Sequence, residues 1–381
     1  MSLKERREIV ALHRAASAAG SGVLFSLVHV QGSSYRRPGA RLLAAGDGRI
    51  AGTLSGGCLE ADLLRRATWS VREGAVLEHF STAFDDTAEI PYGLGCGGEV
   101  DLLLEPMDTP EAASLLEALE ATLSGNHRVI ATCLPGTGPH ARFVMDDQGD
   151  VLFASEALPT EDIVDLRHAA RRSTHGTRLQ VGAYDLFVEH LAPMQRLVIF
   201  GAGEDARPLA RFAADMGWSV VIADGRSRFA RSERFPTAES VLITTSAAQV
   251  TPADAVVLMT HSYEQDRSLL AELLPLAPRY LGLLGARHRS ALLLQEAAEI
   301  AGIPLATAVE RAHAPIGLQV GGDGPEAVAL AITAEVQRVL SAPVQGTGSR
   351  RMSIADVERI LAEGPAKLQA FIRASEACAL Q

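Results

Sequence analysis

The apolar run Leu197-Val198-Ile199-Phe200 meets the turn Gly201-Ala202-Gly203-Glu204-Asp205-Ala206, and a helical pattern follows. A second apolar run, Ser219–Ala223, then ends in the acid Asp224, about twenty residues after the glycines. Strand, Gly-x-Gly-x-x-Ala turn, helix, strand and acid in this order are the pattern of a dinucleotide-binding βαβ unit. Gly201 permits the tight turn, Gly203 lets a pyrophosphate approach, and Ala206 is small enough for helix to pack on strand. The helix start offers unpaired N–H groups to an anion. Glu204 and Asp205, however, put two negative charges where a phosphate would sit. The pattern predicts a Rossmann-type domain and leaves open whether a dinucleotide binds it.

The rest of the C-terminal half extends that pattern. Apolar runs recur at Arg196–Phe200, Ser219–Ala223, Val241–Thr244, Ala255–Thr260 and Tyr280–Leu284, with helical segments between most of them, which predicts a doubly wound parallel sheet. Ligands of such sheets bind at the strand C-termini, where Asp224 and His261 fall. Asp224 is a candidate for an adenosine ribose and His261 for an acid/base or a ligand. Pro325 opens a helix running to about Leu340. Residues 341–350 read as a linker, and a last helix is expected over about Ser353–Ser375.

The N-terminal half alternates irregularly between strand and helix patterns. A helix is expected near residues 4–18, strands at Gly22–Val30, Ala40–Ala45, Ala75–Phe80 and Val100–Pro106, and an amphipathic helix over Pro110–Leu123. Strands follow at His127–Cys133, Arg142–Met145 and Tyr184–His190, with a short helix near Glu161–Arg171. The expected architecture is an α+β domain over residues 1–192, a Rossmann-like domain over 193–340, and a linker and C-terminal helix over 341–381.

Glycine marks the chemistry of the N-terminal half. In Ser55-Gly56-Gly57-Cys58-Leu59-Glu60, two glycines allow close backbone approach and Cys58 falls at a helix start, where the helix dipole favours a thiolate. In Tyr92-Gly93-Leu94-Gly95-Cys96-Gly97-Gly98, four glycines surround one cysteine, an entropically costly arrangement that points to a ligand role for Cys96. The loop Gly32-Ser33-Ser34-Tyr35-Arg36-Arg37-Pro38-Gly39 sets hydroxyls beside two guanidiniums, as a phosphate-bearing ligand requires. Cys133 lies on an apolar strand and reads as core, and Cys378 as incidental.

Composition removes several classes of function. A net charge of −11 argues against a nucleic-acid partner. No stretch approaches the roughly twenty apolar residues of a membrane helix, and the N-terminus has no signal-type core, so a cytoplasmic location is expected. The four cysteines include no C-x-x-C pair, which argues against a zinc knuckle or a disulfide framework.

Taken in order, the arginine loop, Ser55–Glu60, Gly93–Gly98, the Rossmann turn, Thr260-His261, Gly282-Leu283-Leu284-Gly285 and Pro315-Ile316-Gly317-Leu318 resemble the XdhC/CoxI family, accessory proteins of molybdenum hydroxylases such as xanthine dehydrogenase. The resemblance covers the chain to about Val339. It implies a protein without turnover of its own that binds molybdenum cofactor (molybdopterin), holds it while a cysteine desulfurase installs the terminal sulfido ligand, and delivers it to an apo molybdenum hydroxylase. In that role Cys58 and Cys96 would be soft ligands to metal or sulfur. Gly56, Gly57, Gly95 and Gly97 would let a planar ligand lie against backbone, and Arg36 and Arg37 would hold the pterin phosphate. Glu204 departs from the family pattern, in which a histidine often follows the Gly-x-Gly turn. A homodimer is expected. The alternative is an NAD(P)-dependent oxidoreductase using Gly201, Gly203, Asp224 and His261.

Overall fold

The computed structural model describes residues 1–16, 22–32, 34–55, 58–81, 98–136 and 138–341, with the backbone alone for Cys58, Leu59, Asp62 and Ser81. Gly56, Gly57, Gly95, Cys96, Gly97, Cys378 and the expected C-terminal helix lie outside the described residues. The chain divides into two compact units between Pro193 and Met194.

The first unit contains two five-stranded antiparallel sheets. Its elements begin with α1 (Leu3–Ala16), β1 (Val23–Gln31), β2 (Arg41–Ala44), β3 (Ile50–Gly52), α2 (Cys58–Ser70), β4 (Val76–Ser81) and β5 (Glu99–Pro106). They continue with α3 (Pro110–Leu123), β6 (Arg128–Cys133), β7 (Ala141–Met145), β8 (Val151–Ala154), α4 (Thr160–Arg172), β9 (Thr177–Val181) and β10 (Tyr184–Leu191). The strand orders are β3-β2-β1-β5-β4 and β8-β7-β6-β10-β9.

The apolar run at the start of β1 is explained by its central position, because both of its faces are covered. Val23, Phe25 and Leu27 pack with α2 residues Leu63 and Ala67, while Leu24 packs with Ile9 of α1 and Leu115 and Leu119 of α3. Alternate residues point to opposite faces, so one strand serves two cores. Thr109 caps α3 by accepting from Ala112 N at 3.2 Å, and Pro110 occupies the first helical position. The strands β8 and β9 lie at sheet edges and are largely exposed or half-buried, which is why their sequences carry no alternation strong enough to read.

Two buried ion pairs join strands of one sheet to strands of the other. Arg41 of β2 pairs with Glu189 of β10. Arg142 of β7 donates through Nη2 to both oxygens of Glu105 on β5, at 2.9 and 3.0 Å, and His140 Nε2 lies 2.9 Å from the same carboxylate. Gly39, with φ +91°, is required here, because a Cβ would come within 2.9 Å of Glu189 Oε1.

The second unit has β11 (Arg196–Phe200), α5 (Ala206–Asp215), β12 (Ser219–Ala223), β13 (Ser240–Leu242), β14 (Ala255–Leu258), α6 (Tyr263–Leu276), β15 (Tyr280–Leu283), α7 (Arg287–Ala301), α8 (Leu305–Arg311) and α9 (Pro325–Leu340). All five strands are parallel, in the order β13-β12-β11-β14-β15. That is the doubly wound arrangement, with its switch point between β11 and β14. Val198, Phe200, Val256 and Leu258 face α6 and α7, while α5 lies against β11, β12 and α9. No single helix among the described residues is long and apolar enough to cross a membrane.

Burial alone would raise the pKa of Glu105, but the charge of Arg142 and the hydrogen bonds from His140 and Arg142 outweigh it and hold the group down at about 2. A carboxylate lowered on folding contributes stability that is present above its unfolded pKa, near 4.5, and lost as pH falls through about 2. Glu105→Gln should therefore cost about 3–5 kcal/mol near neutral pH, and its deficit should shrink as pH falls from about 4.5 toward 2. Urea unfolding across that range checks this, and a deficit independent of pH would contradict it.

Candidate functional site

In the first unit, the loop leading to Cys58 is held by Glu60. This carboxylate, 7% exposed, accepts from Thr53 Oγ1 at 2.9 Å, Leu54 N at 3.0 Å and Ser55 N at 2.7 Å, and also from the Ser55 hydroxyl. Burial pushes its pKa up, and the Ser55 and Thr53 hydrogen bonds more than reverse the shift, so it is lowered overall. Glu60 thus ties Thr53, Leu54 and Ser55 to α2, whose first residue is Cys58. The side chain of Cys58 and all of Cys96 lie outside what the structure describes.

The two arginines of the preceding loop have different circumstances. Arg36 donates to Glu5 Oε2 at 2.6 Å and is largely buried. Arg37 is exposed, and its guanidinium has no ion-pair partner among the described residues. Arg37 is therefore the one free to meet an anion. Cys133 is buried, and burial pushes its thiol up to about 12, which makes it core and not a nucleophile.

In the second unit, the glycine turn packs as the fingerprint requires but its ligand seats are filled by protein. Gly201 has φ +117°, and a Cβ there would lie 2.2 Å from Met259 O. Asp224 accepts from Ala202 N at 2.8 Å and Arg226 Nη2 at 2.7 Å on one oxygen, and from Arg226 N at 2.8 Å and Nε at 2.9 Å on the other. A carboxylate has about four acceptor sites, so a ribose hydroxyl would find none vacant. Burial raises the Asp224 pKa, and the bonds from Arg226 outweigh that and lower it. Above Gly203, where a pyrophosphate would rest, lies Asp205: a Cβ on Gly203 would meet its Oδ1 at 2.7 Å.

The other oxygen of Asp205 accepts from His261 Nε2 at 3.0 Å, across the switch point. His261 has φ +60°, a conformation uncommon for residues other than glycine. It also lines a cavity of about 450 Å³ whose other walls include Met259, Leu284, Arg289, Pro315 and Ile316. That cavity brings together three stretches singled out in the sequence: Thr260-His261, Gly282–Gly285 and Pro315–Leu318. Glu335 of α9 accepts from Tyr280 Oη at 2.5 Å and Gly317 N at 2.8 Å, next to the lining residue Ile316.

The structure thus gathers Gly201, Gly203 and His261 at one place and ties Asp224 to the same turn. Among the described residues, no cluster of three or more His, Cys, Asp or Glu groups could hold a metal ion. Sequence reasoning missed Glu60 as the clamp of its loop and Asp205 as the partner of His261. An acid within the first turn after paired glycines is a visible signal for Glu60, whereas the Asp205–His261 contact exists only once β11 and β14 are adjacent.

With its ribose and pyrophosphate positions filled, the turn should not take a dinucleotide. NAD and NADP should leave the melting temperature of the wild type unchanged, and Asp224→Ala should destabilise the fold by about 2 kcal/mol through the lost charged hydrogen bonds. A rise of several degrees with either nucleotide, abolished in Asp224→Ala, would contradict this.

Comparison with known proteins bears on both units. A family model described as the XdhC Rossmann domain matches residues 197–336, and one described as the XdhC and CoxI family matches residues 15–81. A Bacillus subtilis protein, named as a probable xanthine dehydrogenase component, is 28% identical over 82% of this chain and 92% of its own length. The Escherichia coli protein named molybdenum cofactor insertion chaperone PaoD is 27% identical over 88% of this chain and 89% of its own. A crystal structure described as a xanthine dehydrogenase from Bacillus halodurans superposes with a TM-score of 0.72 at 27% identity, covering 94% of this chain and 99% of that one. With the two models matching in both units, and these relatives spanning most of the chain, the protein belongs to the XdhC/CoxI family.

Proposed function

We propose that this protein is an accessory factor of molybdenum hydroxylases. It binds molybdenum cofactor as cargo, holds it in the cytoplasm while a cysteine desulfurase supplies the terminal sulfur, and passes it to an apo-enzyme of the xanthine dehydrogenase kind. The observation that carries this reading is Cys58 at the first position of α2, with Glu60 two residues on binding Thr53, Leu54 and Ser55. A helix start, whose dipole favours thiolate, suits a soft metal or a sulfur atom. The near full-length similarity to a protein named as a molybdenum cofactor insertion chaperone supports it.

The residues divide the work by chemistry. Cys58 and Cys96 offer the soft donors. Arg37, exposed and without an ion-pair partner among the described residues, offers a fork to the pterin phosphate, while Arg36 is committed to Glu5. Glu60 touches no cargo in this scheme and acts by fixing the loop.

Co-purification tests the reading. Wild type, Cys96→Ser and Glu60→Ala are expressed in cells that make the cofactor, and bound molybdenum and oxidised pterin are assayed, together with maturation of a partner hydroxylase. The wild type should carry both. Cys96→Ser should lose maturation, and Glu60→Ala should carry about tenfold less cargo, as changes to the groups that orient metal ligands do. Full maturation by Cys96→Ser would remove thiol ligation from the reading, and a wild type free of pterin would remove the cargo.

A further inference from the structure

The connection from β12 to β13 carries a charge opposite to that of the chain as a whole. Arg226, Arg228, Arg231 and Arg234 fall close together there, against Asp224 and Glu233, in a protein whose net charge is −11. Charges act over about 8 Å at physiological salt, so the local surplus and not the net charge decides what this face attracts. Phe229 gathers three of the arginines: the guanidinium carbons of Arg226, Arg228 and Arg234 lie 4.5, 4.7 and 5.0 Å from its ring centroid. The backbone beneath them is held. Phe229 N and Ala230 N donate to Arg226 O at 2.9 and 3.1 Å, Arg234 N donates to Arg231 O at 3.0 Å, and Ala230 and Phe235 are buried.

Two of the four arginines are committed inside the protein. Arg226 is bound to Asp224, and Arg234 donates to Glu204 Oε1 at 2.6 Å and Ala202 O at 2.9 Å. Arg228 and Arg231 are exposed and have no ion-pair partner among the described residues. With Ser232, Glu233 and Arg234 they line a surface cavity of about 540 Å³. Holding like charges together costs free energy, which a bound anion offsets. The donors decide the kind of anion. Phosphate sites collect main-chain N–H groups, but those of Phe229, Ala230, Arg231, Arg234 and Phe235 are all bonded to carbonyls of this same segment. What remains is guanidinium forks at the surface, which pair with carboxylates two bonds at a time. Set apart along a cavity with Glu233 among them, they suit several carboxylates on one extended chain better than one compact phosphate.

We infer that this arginine face is a docking surface for an acidic segment of another protein, with Arg228 and Arg231 as its anchoring forks and Phe229 as the ring that holds Arg228 in place. Because the rest of an acidic chain repels such a partner, attraction confined to one face fixes the orientation in which the two meet. Glu233 is the opposing charge in the cavity and sets a limit on affinity. The surface stands independently of the cargo reading, since it uses residues of the second unit alone and no thiol or metal.

The test titrates the full-length protein into a fluorescein-labelled hexaglutamate peptide and follows its anisotropy at low and at physiological salt, with unlabelled hexaglutamate and tripolyphosphate as competitors. The peptide should bind saturably at one per chain and more weakly as salt rises. Arg228→Gln with Arg231→Gln should weaken binding about tenfold or more. Those changes remove no ion pair of the fold, so the double variant should melt with the wild type. Glu233→Gln should tighten binding about twofold to threefold by removing the opposing charge. Equal binding by the double variant, or no saturation at millimolar peptide, overturns the inference. Displacement by tripolyphosphate at far lower concentration than by unlabelled hexaglutamate also overturns it, by making the face a phosphate site. None of these results bears on molybdenum content.

Discussion

Glu60 and Asp224 each accept from two main-chain N–H groups, and Glu335 from one, in a loop that contains or adjoins glycine. The chain has 34 glycines, and glycine loses more freedom on folding than any other residue, so such loops stay ordered only where something binds them. A buried carboxylate is well suited, since bonds to an ionised acceptor are stronger than neutral ones and an unbonded buried charge is costly. Remove the acid and the loop loses a strong anchor. The approach to Cys58, the Rossmann turn and the wall of the β15 cavity all depend on this one kind of contact.

The same logic gives the Rossmann turn a different content from its sequence. Glycine spacing and the acid after β12 are present and perform their packing roles: Gly201 admits Met259 O, and Ala206 is wholly buried. At the helix start stands an acid, Asp205, which makes no capping bond and pairs with His261, and the acid that would bind ribose is bound by Arg226. The fold and its motif survive while the dinucleotide seats close, a case of a scaffold whose function lies in its particular residues.

Much of the architecture is legible in the sequence because its elements are buried on both faces or capped. The run that becomes β1, the five parallel strands, and α3 with Thr109 and Pro110 at its start all follow from local pattern. The edge strands β8 and β9 do not, since half-exposed edges lack alternation. Single side chains at the site follow a similar rule. His261 is visible as a polar residue at a strand end. Its contact with Asp205, 56 positions earlier, is not, because it is made by the adjacency of β11 and β14 and not by spacing along the chain. The split between a committed Arg36 and an available Arg37 likewise depends on where Glu5 of α1 comes to rest.

If thiols of the first unit hold the cargo's metal, as proposed, molybdenum K-edge absorption on the loaded protein will see them. Sulfur neighbours beyond the dithiolene pair of the pterin, reduced in Cys96→Ser, are the predicted result. An identical sulfur shell in wild type and variant would contradict it.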